Sequence, residues 1–399
     1  MRADRYKDYM YKLIDRVVRD IGPREPCSIQ EKQLGELLVE EFKPSCDSAA
    51  IESFTCSPTA FLGFFPIIVL LYIASAALYW VFPPAAAVLM FLAMTIFLLQ
   101  FVRYCEFLDF LYPKKQGHSA IGVIKPKGEV KRRVVVAGHT DTAYEFNIWL
   151  FFKNAAIPVM ILTILAFLFL LGISLAKSIV WFQGVPAAPV YTALGIAAVA
   201  LYPLVGMFLF FHTYVPVPGA MDNMAGCAVA AGLGKYLADA RSNGEFFPEN
   251  TEVVLIGMGC EEAGLRGARA YVKQHLGELK KIPTHGLFVD GVYDEKFLTV
   301  ITREICTGAK HDPALVKMAQ EAAAKRNWPM LKTVIPLGAS DATEFSRAGI
   351  SATCLLCQDT SRLVPNYHTR YDTIEHIRPE SLAVTLQIII DMLERIDRQ

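Results

Sequence analysis

The sequence predicts an α/β domain, a mixed and largely parallel sheet with helices on both faces, interrupted twice by hydrophobic helical hairpins. Three observations predict it. Short β-branched or apolar runs alternate with stretches of helical apolar spacing. Four uncharged stretches approach the length of a bilayer-spanning helix, about 20 residues. Imidazoles and carboxylates follow the predicted strands, at the end of an open α/β sheet where chemistry is usually carried.

In chain order, Met10 to Val18 and Gln30 to Phe42 have helical spacing, with Ser28 as a helix N-cap and Glu31 at the third position after it. Two uncharged stretches follow, 59–82 and 85–102, separated by Pro83-Pro84. A second pair, 155–176 and 190–211, is joined by a linker containing Lys177, Gln183, Gly184 and Pro186. These give two transmembrane hairpins, 59–102 and 151–211, with four spans. Residues 1–58, 103–150 and 212–399 form the remaining domain. Its strands are Ala120 to Ile124, Val134 to Ala137, Val253 to Met258, Gly286 to Val289 and Ala352 to Leu356. Its later helices are Gly226 to Leu237, Ala263 to Gln274, Pro313 to Arg326 and Pro379 to Arg398.

Composition agrees with this division. The 39 basic and 39 acidic residues leave no charge bias toward nucleic acid, so no nucleic-acid partner is expected. Hydrophobic residues make up 53% and mean hydropathy is +0.34, high for a soluble chain, with the excess concentrated in the four stretches. Residues 1–58 are polar and charged, which argues against an N-terminal signal sequence. An even number of crossings puts the three polar segments on one side. Arg103, Lys114, Lys115 and Lys153 flank the spans there against Lys177 on the other, so that side is expected to be cytoplasmic. The nine cysteines lack framework spacing, consistent with a reducing compartment. Cys354 and Cys357 lie in an apolar run and read as packing, as does Cys260, a small apolar filler; Arg266 reads as a solvated helix residue.

The strand ends carry metal-ligand side chains. Gly138-His139-Thr140-Asp141 follows one strand, Glu261-Glu262 another and Asp290 a third; Tyr367-His368-Thr369 lies beyond the last. Asp222, in PGAMDNMAGCAVAAGL, stands at a helix start among small residues. Singly, Asp222 could be a cap, His139 a core histidine, His368 a loop residue and Asp290 a turn residue. Jointly, two imidazoles and three carboxylates suit two Zn2+ ions sharing a carboxylate, an arrangement used for hydrolysis.

Seven stretches in order resemble the M28 family of zinc aminopeptidases: IGPREPCSIQEKQLGELLVEEF, GHTDT, GAMDNMAG, EEAGLRGARAYV, FVDGVYD, SDATEFSRAGISA and YHTRYDT. The resemblance covers essentially everything outside the hairpins, and the phrases around Asp222 and EEAGLRGA are also similar to the related M42 aminopeptidases. It implies a phosphorylase/hydrolase-like fold and removal of N-terminal residues from peptides. It also implies that Asp222 bridges two zinc ions, that His139 and Asp290 complete one site, and that Glu262 and His368 complete the other. Glu261 is then the general base toward a metal-activated water, and Asp141 a carboxylate that fixes the His139 imidazole. Asp341 and Asp372 match further motif acids of local structural importance.

This chain departs from the family in one respect: the second hairpin separates His139 from Asp222, which the family joins by a short connection. The expected partners are peptide substrates, including peptides released at the membrane, the lipid bilayer itself, and further copies or partners assembled through the four helices. Glutaminyl cyclases are similar in fold but bind one zinc and carry a longer insertion after the paired acids, whereas EEAGLRGA is expected to run straight into its helix. A scaffold lacking catalysis is disfavoured by the complete ligand set. A transporter is disfavoured by spans without charge.

Overall fold

The computed structural model describes residues 1–328, 330–359 and 366–399. The chain gathers into two compact units: Met1–Pro58, Lys114–Tyr144 and Val215–Gln399 form the first, and Thr59–Pro113 with Glu145–Tyr214 the second. The second unit thus takes in residues 103–113, 145–150 and 212–214, which the sequence pattern assigns to the polar domain.

Among the described residues the first unit has nine strands: β1 (Ser48–Cys56), β2 (Lys115–Ile124), β3 (Arg132–His139), β4 (Thr251–Met258), β5 (Thr284–Asp290), β6 (Leu298–Glu304), β7 (Ala309–Lys310), β8 (Leu331–Ile335) and β9 (Ser351–Cys357). Their order is β1-β2-β4-β3-β5-β9-β6-β7, with β8 beside β6. The middle four, β4, β3, β5 and β9, run parallel. Antiparallel β2 and β1 flank them on one side, and antiparallel β6 on the other. The parallel centre carries the apolar runs because both its faces are covered.

Alternation along β3 shows the two layers. Val134 and Val136 enter a core with the helices Lys7–Asp20, Ile29–Phe42, Ala225–Asn243 and Pro379–Asp397. Val135 and Ala137 enter the opposite core with Arg266–Lys281 and Ala342–Arg347. Each of the three valines, fully buried, contributes roughly 1.5–3 kcal/mol. The helix Ala225–Asn243 lies very close to β3: a Cβ on Gly138 would stand 2.4 Å from the Gly226 carbonyl carbon. Glycine at 138 permits that approach, and Gly226 in turn leaves room for the Val289 carbonyl of β5, where an added Cβ would stand 2.5 Å away.

The sequence pattern finds the five central strands and misses β1, β6, β7 and β8. β1 alternates exposed and half-buried residues, and β8 is at most half-buried, so neither has the apolar run of a central strand. The helix after Glu262 starts at Arg266, not Ala263. Cys260 (φ 56°), Gly264 (φ 89°) and Leu265 (φ 62°) take left-handed backbone, and the amides of Gly264 and Leu265 both donate to the Glu261 carbonyl. EEAGL therefore forms a tight turn before the helix, a correction to the expectation that it enters the helix directly.

The second unit contains four helices long and apolar enough to cross a membrane: Ala60–Val81, Pro83–Val102, Asn147–Phe182 and Pro189–Phe210. The third extends past the predicted 155–176 at both ends. Their polar side chains are satisfied within the unit, Tyr72 donating to the Ala198 carbonyl, Tyr79 to that of Tyr191 and Ser75 to that of Ala86. Lys177 donates to the Tyr79 carbonyl at 2.8 Å, its ammonium 4.2 Å from the Tyr79 ring centre. Phe65 and Phe211 stack at 4.5 Å. Large apolar side chains remain outside: Leu70, Phe91, Ile179 and Ile196 are 60–67% exposed.

Candidate metal centre

The first unit delivers its ligand-type residues to one place. His139 is the last residue of β3 and Asp290 the last of β5. Glu261 and Glu262 lie in the turn beyond β4, and His368 (φ 52°) follows β9. Asp222 sits in the segment Ala220–Met224, whose backbone is non-helical at Asp222 and Asn223. Asn223 fixes that segment, donating to the Val289 carbonyl at 2.8 Å and accepting from the Gly226 amide at 2.9 Å.

Asp222 stands between the two imidazoles. Its Oδ1 is 3.0 Å from His139 Nε2 and its Oδ2 is 3.2 Å from His368 Nε2. On the first side, His139 Nε2 is also 3.7 Å from Asp290 Oδ1 and 4.0 Å from Glu261 Oε2. On the second, His368 Nε2 is 3.1 Å from Glu262 Oε1. His139, Asp222, Glu261 and His368 are all under 9% exposed. The structure thus brings together His139, Asp222, Glu261, Glu262, Asp290 and His368, with Asp222 in the middle.

Asp141 faces the imidazole, as the resemblance implies, and also the turn of the paired glutamates. Its carboxylate accepts from the Glu261 amide at 3.0 Å and the Glu262 amide at 2.8 Å. His139 Nδ1 lies 3.1 Å from the Asp141 carbonyl oxygen and 3.5 Å from Oδ1, so the shorter contact to the imidazole comes from the main chain. Asp372 does for Asp222 what Asp141 does for the glutamates: its oxygens accept from the Met221 amide at 2.7 Å and the Asp222 amide at 3.1 Å.

Two further residues hold the site, and their roles are absent from the sequence reading. Arg24, fully buried, donates to the carbonyls of Gly22, Thr140, Pro218 and Gly219. It thereby ties the segment after His139 to the segment before Asp222. The visible signal is a lone arginine in GPREP. Glu31 is also fully buried. Ser28 caps its helix through the Glu31 amide as expected, but the Glu31 carboxylate accepts from the amides of Cys27 and Cys260, each at 2.7 Å. That second contact fixes the turn just ahead of Glu261.

The electrostatics follow from packing so many acids out of water. Burial, then the charge of Glu262, Asp341 and Asp290, pushes Glu261 well above the ordinary carboxylate range against the pull of His139. Burial likewise raises Glu262, Asp290 and Asp341, and burial with the Asp222 charge lifts Asp372 to about 7. Burial would lower the imidazoles, but Glu262 and Asp222 carry His368 up to about 10, and Glu261, Asp141, Asp222 and Asp290 raise His139. Asp222 alone falls: burial opposes its charge, and the hydrogen bonds from both imidazoles outweigh it.

Such a cluster calls for cations. His139, Asp222 and Glu262 offer ligand atoms within 4.8 Å of one another, and Asp341 Oδ1 is buried without a hydrogen bond among the described residues. Divalent ions would relieve the repulsion and use imidazole and carboxylate donors in a set suited to them. The donor set fits metal.

Residues 207–393 match the model of peptidase family M28. The chain is 31% identical over 170 residues to the aminopeptidase YwaD of Bacillus subtilis, a stretch that is 41% of this chain and 35% of that protein. It therefore spans about a third of that relative's length. A zinc aminopeptidase structure from Bacillus subtilis superimposes with a TM-score of 0.57 at 15% identity, covering 98% of this chain and 95% of that one. A glutaminyl cyclase from Bacteroides thetaiotaomicron, bound to N-acetylhistamine, gives 0.57 at 13% identity and 97% coverage of both. At those identities the structures speak to the fold, a mixed, largely parallel sheet layered by helices, and the sequence matches speak to descent. The likeness to peptidase family M28 is carried by residues 207–393.

Proposed function

We propose that this protein is a membrane-anchored aminopeptidase that holds two zinc ions and removes N-terminal residues from peptides. The observation that carries the reading is Asp222, whose two carboxylate oxygens face His139 and His368 from opposite sides. His139 and Asp290 would hold one zinc, Glu262 and His368 the other, with Asp222 shared between them. Bound there, zinc would supply Lewis acidity toward a peptide carbonyl and toward water.

The chain's own residues do the rest. Glu261 reaches the same centre without being needed as a ligand, and its buried, acid-rich surroundings raise its affinity for a proton. That suits a carboxylate that takes a proton from water and returns it to the leaving amine. Asp141 holds the Glu261 and Glu262 amides, and Asp372 those of Met221 and Asp222, so the acids are set before substrate arrives. The remaining carboxylate charge would attract the free amino group of a peptide, which supports exopeptidase over endopeptidase action.

The relatives' names support the same substrate class: YwaD is an aminopeptidase, and the Bacillus subtilis structure is that of a zinc aminopeptidase. Anchoring is supported by the four long apolar helices and their exposed Leu70, Phe91, Ile179 and Ile196, a surface that lipid covers at no cost. We place the peptidase unit on the cytoplasmic side from the Arg103, Lys114, Lys115 and Lys153 bias, and expect short peptides generated at the membrane among its substrates.

The test is metal analysis of detergent-purified protein beside a panel of aminoacyl fluorogenic substrates, wild type against Glu261→Gln. Two zinc ions per chain, with turnover lost and both metals kept in the variant, are expected. Near-normal turnover in Glu261→Gln would remove Glu261 as the base, and cyclisation of N-terminal glutamine without peptide cleavage would replace the aminopeptidase reading by a cyclase.

A further inference from the structure

Three cysteines from distant parts of the first unit meet beside the paired glutamates. Cys27 belongs to the turn before the helix Ile29–Phe42, Cys56 ends β1, and Cys260 directly precedes Glu261. Cys27 Sγ lies 3.4 Å from Cys260 Sγ and 3.6 Å from Cys56 Sγ, and all three sulfurs are within 4.8 Å of one another. Cys56 and Cys260 are buried and Cys27 is partly open to solvent.

We propose that these thiols form a separate site for a thiophilic d10 cation, zinc(II) or copper(I), distinct from the carboxylate and imidazole centre. The geometry decides against the bland reading of packed thiols. Three sulfurs around one ion at a metal–sulfur distance of about 2.3 Å stand roughly 3.8 Å apart in a tetrahedral arrangement and about 4.0 Å in a trigonal one. Two of the separations, 3.4 and 3.6 Å, fall a few tenths of an ångström short of those values, and the third pair is within 4.8 Å. Thiolate sulfur is also the donor that selects copper(I) and zinc over harder ions.

Backbone conformation points the same way. Cys27 and Cys260 both take left-handed φ, 63° and 56°, in a region where a residue with a side chain costs energy. Both turns are held by one buried carboxylate, Glu31, which accepts from both amides. Without those two turns the sulfurs would not converge. Glu31 Oε2, 3.6 Å from Cys260 Sγ, offers an oxygen that can complete a four-coordinate zinc site. The half-open side at Cys27 gives an ion its way in.

A metal there would staple the N-terminal turn, the end of β1 and the loop that presents Glu261 and Glu262. Binding releases the thiol protons and changes no oxidation state. A disulfide is the competing use of the same sulfurs; it would join two of them, at about 2.0 Å, and leave the third aside.

The experiment is a cadmium(II) titration of the full chain in detergent under reducing conditions, read by thiolate-to-cadmium charge-transfer absorption. That signal does not arise from carboxylate or imidazole ligands. The wild type is compared with Cys27→Ser/Cys56→Ser, with the single variant Cys27→Ser, and with Cys105→Ser/Cys306→Ser as a control outside the cluster. One equivalent of thiolate-bound cadmium is expected in the wild type and the control. The single variant should bind at least tenfold more weakly, within the loss that altered ligand surroundings commonly bring, and the double variant should give no band. If the double variant does not fold, the wild type and the single variant carry the test. Absence of the band in the wild type, an unchanged titration in Cys27→Ser, or a disulfide among these cysteines in protein purified without reductant would overturn the proposal.

Discussion

Replacing Asp141 by asparagine keeps the shape of the side chain and removes its charge and one acceptor. Both carboxylate oxygens are in use, one on the Glu261 amide at 3.0 Å and one on the Glu262 amide at 2.8 Å. Asparagine can serve one of them; its NH2 group then faces the other amide, donor against donor. A hydrogen bond to a buried charge contributes about 1.5–3 kcal/mol, and a buried donor left unpaired costs about 1–3 kcal/mol. The local loss is therefore about 2.5–6 kcal/mol. It falls on the turn that carries both the proposed base and a proposed ligand. If only about 1.4–2.7 kcal/mol of it is expressed as misplacement of Glu261, turnover drops about 10- to 100-fold. The assay is kcat and KM on an aminoacyl fluorogenic substrate, with metal content measured in parallel. Because the His139 ring keeps its contact to the Asp141 carbonyl, the metal proposed at His139 should remain. A variant within about threefold of wild-type kcat, or one that loses the metal proposed at His139 while keeping the one proposed at Glu262, would refute the assignment of Asp141 to the glutamate amides.

Two further outcomes follow from the buried charges. Metal-depleted protein should become less stable as pH rises. Asp372, about 7 in the folded state against 3.8 unfolded, makes the native state bind more protons between those values, so stability falls as pH rises through that window. Glu261, Glu262, Asp290 and Asp341 are raised and act with the same sign. His139 and His368 are also raised, so their contribution is complete below 6.5 and for His368 is lost toward about 10. Asp222, being lowered, contributes above 3.8 and fails only in stronger acid. The melting temperature lost on chelation should thus be larger at about pH 8 than at about pH 6, and equal losses would refute this ledger of signs. Arg24→Met should cost at least about 3 kcal/mol, because four carbonyls lose a buried donor at about 1–3 kcal/mol each; a loss below about 1 kcal/mol in denaturant unfolding would show that water replaces the guanidinium.

The residues that could be read from sequence are those whose position follows from a strand. Val134 to Ala137 is a β-branched run that must be central, so the side chain that ends it, His139, is delivered to the sheet's carboxyl edge; the same holds for Asp290 after Gly286 to Val289. What could not be read depends on the main chain or on tertiary closure. Asp141 meets two backbone amides, which leave no mark in a sequence. Arg24 meets four carbonyls from three segments, and Asp372 supports Asp222 from 150 positions away. The late helix start after Glu262 depends on left-handed φ at Cys260 and Leu265, residues whose type gives no hint of it. β1 was hidden by Glu52 and Ser53, tolerable because the strand is at the sheet edge.

The pairing of strands also explains how this fold accepts its insertions. Cys56, which ends β1, is the register partner of Lys115, which begins β2, so the segment 59–113 stands where a tight hairpin loop would serve. At the second insertion Tyr144 bridges Pro216, and the Val217 amide donates to the Ala143 carbonyl at 2.9 Å. Each insertion therefore leaves and returns through neighbouring, hydrogen-bonded residues, about 4.5–5.5 Å apart as in any antiparallel pair. The first unit fixes both ends whatever the length between them, and loop closure adds only about 0.6 kcal/mol per doubling of length. Replacing 59–113 and 145–214 by loops of about two to five residues should leave a soluble protein with one cooperative unfolding transition, unchanged metal content and near wild-type turnover of a small aminoacyl substrate. Turnover of peptides presented in vesicles should fall at the same time, since the proposed anchoring is what the deletion removes. A shortened chain that folds but holds no metal would show that the spans are needed to build the site, and would refute the view that they are only set into its connections.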